Sequence, residues 1–162
     1  MPIALGIILV GLGVVALSLF LDKTAGTAAA VAAGDTTAAG SATGVGPNAV
    51  SIRNYLQSQG LSKIAAAGVV GNLQQESSLN PNAPGGGLAQ WQAPRGPKDW
   101  SLSGQLTYLI NELKTSYSGL FSQLNAATSP SQAATLFSDQ YERPGIPMLG
   151  NRIAYANAAY NA

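Results

Sequence analysis

Residues 3 to 21, IALGIILVGLGVVALSLFL, run for nineteen positions without a charge. At 1.5 Å per residue they would make about 28 Å of helix, close to the thickness of a bilayer core. Gly6, Gly11 and Gly13 would weaken a soluble helix but are ordinary in a membrane one. The stretch predicts one N-terminal transmembrane helix, with residues 1–23 as a single-pass anchor. A cleaved signal peptide is the competing reading, because Ala28-Ala29-Ala30 can serve as a small-residue cleavage site. Against it, no Lys or Arg precedes the run, and the run is longer than a usual signal core. Asp22 and Lys23 cancel, so no basic cluster marks an inside face.

Residues 24–47 are rich in Ala, Gly and Thr, with Asp35 as their one charge. They hold almost nothing large enough to bury, which predicts a flexible linker. The core must therefore come from residues 48–162, about 115 residues and enough for one modest domain. Helical patterns follow one another there. Val50, Ile52, Tyr55 and Leu56 share a face that closes at Gly60. Ser62 can cap a second helix carrying Ile64, Ala67, Val69, Val70 and Leu73 and fading near Ser77. Leu102, Leu106, Leu109, Leu113 and Tyr117 form a one-face stripe, which Leu120, Phe121 and Leu124 either extend or follow as a short neighbour. Ser129-Pro130 is a cap with proline at the first helical position, opening a helix with Ala133, Leu136, Phe137 and Tyr141. A last helix runs from about Gly150 to Ala159. Strand alternation is hard to find, so the expected domain is all-α with one long irregular loop, 78 to 100.

The chain has no cysteine and no histidine. That removes disulfides, thiolate nucleophiles, the usual general base and the standard zinc ligand sets, so neither metal nor cofactor is expected. Acid–base chemistry must rest on carboxylates. From residue 48 onward seven Lys/Arg face five Asp/Glu, and the basic residues are scattered. That is too thin for a nucleic-acid footprint.

Glu76 is the first glutamate of the chain. It sits in the last turn of the second predicted helix, where the dipole and apolar neighbours such as Leu73, Leu79 and Trp91 disfavour a negative charge. A glutamate kept protonated at the rim of a cleft is the acid that glycosidic cleavage requires; the blander reading, common for a single glutamate, is a helix end in solvent. The following loop, with turns at Asn80-Pro81 and Asn82-Ala83-Pro84 and then Gly85-Gly86-Gly87, delivers Gln90 and Trp91. An amide beside an indole suits a sugar; a core tryptophan closing the loop is the alternative. Asp99, across the loop, is a weaker candidate for a second carboxylate. Glu112 lies beside the apolar stripe and suits an internal hydrogen bond or ion pair. Asp139 reads as surface. Glu142, in the stretch YERPG, either orients the following loop or lines the cleft.

The stretch ESSLNPNAPGGGLAQW, residues 76 to 91, resembles the catalytic region of the phage tail lysozyme family, whose members are virion-associated peptidoglycan muramidases. More distantly it is similar to soluble lytic transglycosylases and goose-type lysozymes. The pattern is carried by Gly71, Asn72, Glu76, Ser77, Leu79, Asn80, Pro81 and Ala83, then by Gly87, Ala89, Gln90 and Trp91. Residues 54–73, 105–113 and 133–152 look like the family's opening helix pair, central helix and closing region, so the likeness spans about residues 48–160. Two departures stand out: the loop before Gly87 is short, and APRGPKDW, 93–100, replaces a longer stretch after the family's arginine, which Arg95 matches. The expectation is a reduced cleft wall with fewer sugar subsites.

The resemblance implies a lysozyme-like helical domain over 48–162 that cleaves the β-1,4 bond between N-acetylmuramic acid and N-acetylglucosamine in peptidoglycan glycan strands. It implies Glu76 as the catalytic acid, with Ser77, Gln90, Trp91 and Glu142 binding substrate. Hydrolysis and lytic transglycosylation, which gives 1,6-anhydro products, both stay open, as does a non-catalytic wall-binding module. Together with the apolar run, the resemblance implies a lipid membrane as partner through residues 3–21. The setting it suggests is a virion internal membrane with other membrane or capsid proteins nearby, or alternatively the host cell envelope.

Overall fold

The computed structural model describes residues 44–162. The expected anchor (1–23), the signal-peptide alternative and the linker up to residue 43 lie outside the described residues. Among the described residues every regular element is helical, and no helix is long and apolar enough to cross a membrane.

Six α-helices form the described part: α1 (Ala49–Ser58), α2 (Lys63–Ser77), α3 (Leu102–Lys114), α4 (Ser118–Ala126), α5 (Pro130–Phe137) and α6 (Leu149–Asn161). A 3-10 turn (Gly87–Ala89) interrupts the loop after α2, and a π-turn (Ser138–Glu142) continues α5. The caps follow the sequence: the Ser62 hydroxyl accepts from the Ala65 amide, and Ser129 does the same for Gln132 ahead of Pro130. Ser101, which the sequence reading passed over, caps α3 by accepting from Gly104. The stripe expected to reach Tyr117 breaks at Thr115, and Leu120 and Leu124 belong to the separate short helix α4. On α1 the buried face is Ala49, Ile52, Arg53 and Leu56, while Val50 turns outward.

α2 lies at the centre, in contact with α1, α4, α5, α6 and the 3-10 turn. Every residue from Ala65 to Leu73 is buried, so α2 has no solvent face along that stretch. Its small residues make this possible. A Cβ on Gly68 would lie 2.4 Å from the Ala133 Cβ, and one on Gly71 would lie 2.5 Å from the Arg152 carbonyl oxygen and 2.6 Å from the Ala156 nitrogen. The backbone of α5 thus comes against that of α2 at Gly68, and the backbone of α6 at Gly71. Asn72, fully buried between them, donates to the carbonyls of Gly68 (2.9 Å) and Ala134 (3.0 Å) and ties α2 to α5.

The long loop is held from α3. Gln105 is completely buried; its Oε1 accepts from Leu88 N at 2.8 Å, and its Nε2 donates to the carbonyls of Pro81 and Trp100, each at 2.7 Å. One amide thereby satisfies three backbone groups spread over twenty residues of loop, groups that would each be costly to leave unpaired. Gly87 leaves room for it, since a Cβ there would fall 2.3 Å from Gln105 Oε1.

Gly71→Ala should destabilise the fold by about 1–3 kcal/mol or more through overpacking against backbone. Gly119 has nothing within 4 Å of a built Cβ, so Gly119→Ala on α4 should stabilise by about 0.5–1 kcal/mol. Urea unfolding of the two variants reads both signs; equal effects would refute the close-contact account of α2.

Candidate active site

α2 ends by presenting Glu76 to a cavity of about 190 Å³ lined by Glu76, Ala89, Gln90, Trp91, Gln92, Arg95, Glu142 and Pro144. Three of the expected site residues, Gln90, Trp91 and Glu142, thus converge with Glu76 on one space. Ser77 does not. Its hydroxyl turns back along the helix to the Leu73 carbonyl at 2.9 Å, and it is no part of the cavity wall. Glu76 itself meets something the sequence argument did not anticipate. Its Oε1 accepts from Arg152 Nη2 at 2.5 Å, and Arg152 is 2% exposed. The same guanidinium donates to Asn72 Oδ1 (3.0 Å) and to the Pro147 carbonyl (2.6 Å). The neighbour of Glu76 is therefore a buried cation, placed by the contact of α6 with Gly71. Arg152 is the residue beside Glu76 that the sequence left unmarked, though a charge set among Ile153, Ala156 and Tyr160 on the last helix was a visible signal.

Glu142 enters from the π-turn. A π-turn carries one more residue per turn than the α-helix it continues. Tyr141 stacks on Phe137 at 4.5 Å between ring centroids, and the next residue, Glu142, reaches the cavity. Its Oε1 is shut away from solvent with no hydrogen-bond partner. Burial first, and the negative charge of Glu76 second, push its carboxyl up to about 8, against the opposing pull of Arg152 and Arg95.

Beside this pair lies a fully satisfied carboxylate. Glu112 accepts from Arg95 Nε (2.8 Å) and Nη2 (2.9 Å), from the Tyr108 hydroxyl (3.1 Å) and from the Tyr141 hydroxyl (2.6 Å). Burial raises the Glu112 carboxyl, but the bonds from Arg95, Tyr141 and Tyr108 outweigh it and hold it below the usual range. The ion pair expected from sequence is present, and it holds the back wall of the site. Arg95 also lies over the Tyr141 ring at 4.4 Å. Trp91 belongs to the same wall. It is 4% exposed, donates its Nε1–H to the Tyr141 hydroxyl at 2.9 Å and packs edge-on to Tyr108. With so little of the ring open, it closes the core under the loop and adds little surface to the cavity.

Gln90 sits in the left-handed region (φ 49) and donates its side-chain amide to the Gly87 carbonyl at 2.9 Å. That bond fixes it at the rim of the cavity. Asp99 is not a second carboxylate of the site. It accepts from the Ser101 amide and hydroxyl, each at 2.9 Å, which hold its carboxyl below the usual range, and it lies outside the Glu76 cavity. Asp139 is exposed, as expected. Among the described residues no group of three or more His, Cys, Asp or Glu is placed to hold a metal.

The all-helical architecture of the described residues is consistent with a lysozyme-like helical fold. Residues 47–162 match the phage tail lysozyme family, and the chain belongs to it. Morphogenesis protein 1 of Bacillus phage B103 is 29% identical over 126 residues, an alignment covering 62% of this chain and 34% of that protein. The chain thus spans about a third of the length of that relative. No solved structure matches it.

Arg152→Ala should cost about 3–5 kcal/mol in urea unfolding, because it breaks a buried pair and orphans Asn72 Oδ1. The raised Glu142 carboxyl adds a pH dependence. Its contribution to stability is full below its ordinary value of 4.5 and is lost as pH rises through about 8. Melting temperature should therefore fall from pH 5 to pH 9, and Glu142→Gln should remove most of that fall. A variant that melts in parallel with the parent across this range would refute the assignment.

Proposed function

We propose that the domain cleaves the β-1,4 bond between N-acetylmuramic acid and N-acetylglucosamine in peptidoglycan, with Glu76 in the general-acid position and Glu142 as its partner. The observation that carries this reading is the convergence of the two carboxyls on one cavity rimmed by Gln90. Burial first, and the charge of Glu76 second, keep a proton on Glu142 below pH about 8. Glu76 takes this proton from Glu142 and delivers it to the glycosidic oxygen as the bond to C1 breaks. The positive charge then developing on the sugar ring faces a pair left doubly negative, which stabilises it. Arg152 holds Glu76 in position through this change and shares its charge.

Completion of the reaction requires a nucleophile at C1. A lone glutamate would suit ring closure by the muramic 6-hydroxyl. A second carboxyl in the same space can hold a water and take its proton, which favours hydrolysis. The setting we propose is local wall opening from a virion, with residues 3–21 as the tether to a membrane. Sedimentation of the full chain, but not of residues 44–162, with lipid vesicles tests the tether.

Glu76→Gln should abolish lysis of purified cell wall, a loss of about 10²–10⁴-fold, while wall binding persists. Glu142→Gln should lower the rate and remove the decline in activity that the parent shows above pH about 8. Mass analysis of released muropeptides reads the ending: reducing muramic ends for hydrolysis, anhydro ends for transglycosylation. Lysis undiminished in Glu76→Gln would refute the assignment.

A further inference from the structure

A second cavity adjoins the first. It measures about 730 Å³ and shares Trp91, Gln92 and Arg95 with the Glu76 cavity. Its other walls come from the glycine loop (Gly85, Gly86, Gly87) and from the segment 93–100, ending in Trp100. Trp100 is 46% exposed, one of three large apolar side chains open to solvent among the described residues. It is nevertheless held in place. Its carbonyl accepts from the buried Gln105 at 2.7 Å, and its ring meets Trp91 edge-on at 6.5 Å. Beneath it Gly96 has no side chain, and a Cβ there would come 3.2 Å from the indole. An aromatic face so supported, yet left open beside a cavity, is a platform and not a loose surface residue.

Size and charge indicate what it receives. Cleavage of a glycosidic bond needs a sugar on each side of it. A space of about 190 Å³ falls short of the roughly 300–1,000 Å³ typical of small-ligand sites, whereas the adjoining cavity falls within that range. A strand crossing Glu76 can continue into the larger space, which shares part of its wall with the Glu76 cavity. The one charged group lining that space is Arg95, and Glu112 already neutralises it through two hydrogen bonds. The walls are otherwise indole, amide, proline and glycine backbone. They suit an uncharged ligand with an apolar face and scattered hydroxyl or acetamido groups, and suit less well the charged stem peptides of the wall.

We propose that this cavity is a glycan subsite in which an N-acetylated pyranose of the strand stacks on Trp100, extending the cleft beyond the sugar at Glu76. The proposal rests on the glycosidase reading above and assigns Trp100, Gly96 and the segment 93–100 a role in strand binding. The compressed segment, expected to reduce the cleft wall, builds a large part of it instead.

The test uses the full chain carrying Glu76→Gln, so that ligand is not consumed, titrated calorimetrically with the N-acetylglucosamine tetramer. Trp100→Ala in that background should weaken binding about tenfold, with Trp100→Phe intermediate. Trp100 is half-open, so circular dichroism should be unchanged and melting should fall only slightly, by far less than the loss of binding would need if it came from unfolding. Tetramer affinity unaffected by Trp100→Ala overturns the subsite and leaves the glycosidase reading intact. Failure of a Glu76→Gln chain that circular dichroism shows to be folded to bind tetramer or cell wall overturns the glycosidase reading, and the subsite with it.

Discussion

The architecture depends on how closely two helices can approach a third. Gly68 and Gly71 strip α2 of side chain where α5 and α6 cross it, so that backbone meets backbone. Glycine inside a helix costs about 0.5–1 kcal/mol relative to alanine, a cost offset here by a contact no larger residue would allow. The chemical consequence lies one turn further along α2. With α6 seated on Gly71, Arg152 can span Asn72, Pro147 and Glu76 at once. The packing of the core and the charge beside the candidate acid are therefore one feature.

Three glutamates within this small domain have three different environments. Glu112 is surrounded by donors and is held ionised. Glu76 has one strong donor and an open side. Glu142 has a buried oxygen with no donor. The same side chain thus braces a wall, faces a cavity or retains a proton, and hydrogen-bond supply decides which. The aromatic residues divide in a similar way. Trp91 is consumed by packing and by its bond to Tyr141, whereas Trp100, nine residues on, keeps nearly half its surface open.

Much of the helical organisation was legible in the sequence because caps and periodicity are local properties. Ser62, Ser129-Pro130 and the leucine stripe of α3 mark their elements without knowledge of what surrounds them. The face of α1 and the break at Thr115 were less legible, since tertiary packing overrides periodicity there. Within the site, Glu76, Gln90 and Glu142 could be singled out from type and position. Their convergence could not, nor could the partner of Glu76, since Arg152 lies 76 residues away and reaches it only after α2 and α6 have packed. The charge next to Glu76 comes from the helix docked against α2, beyond the reach of any dipole of its own helix. Ser77 and Asp99 show the converse: a polar or acidic residue near the candidate site can be occupied by its own stretch of chain, Ser77 by the Leu73 carbonyl and Asp99 by the amide and hydroxyl of Ser101.

The π-turn at Ser138–Glu142 bears on how such a site changes over time. An α-helix advances about 100° per residue, and the wider turn accommodates one residue more than the helix before it. The direction of Glu142 is therefore set by the number of residues in the turn as much as by their identity. Loss of a single residue there would let the segment relax toward α-helix and carry the carboxyl away from Glu76 while leaving every letter of the glutamate's neighbourhood in place. The pairing is a matter of chain length, and among relatives it would be gained or lost by insertion and deletion sooner than by substitution.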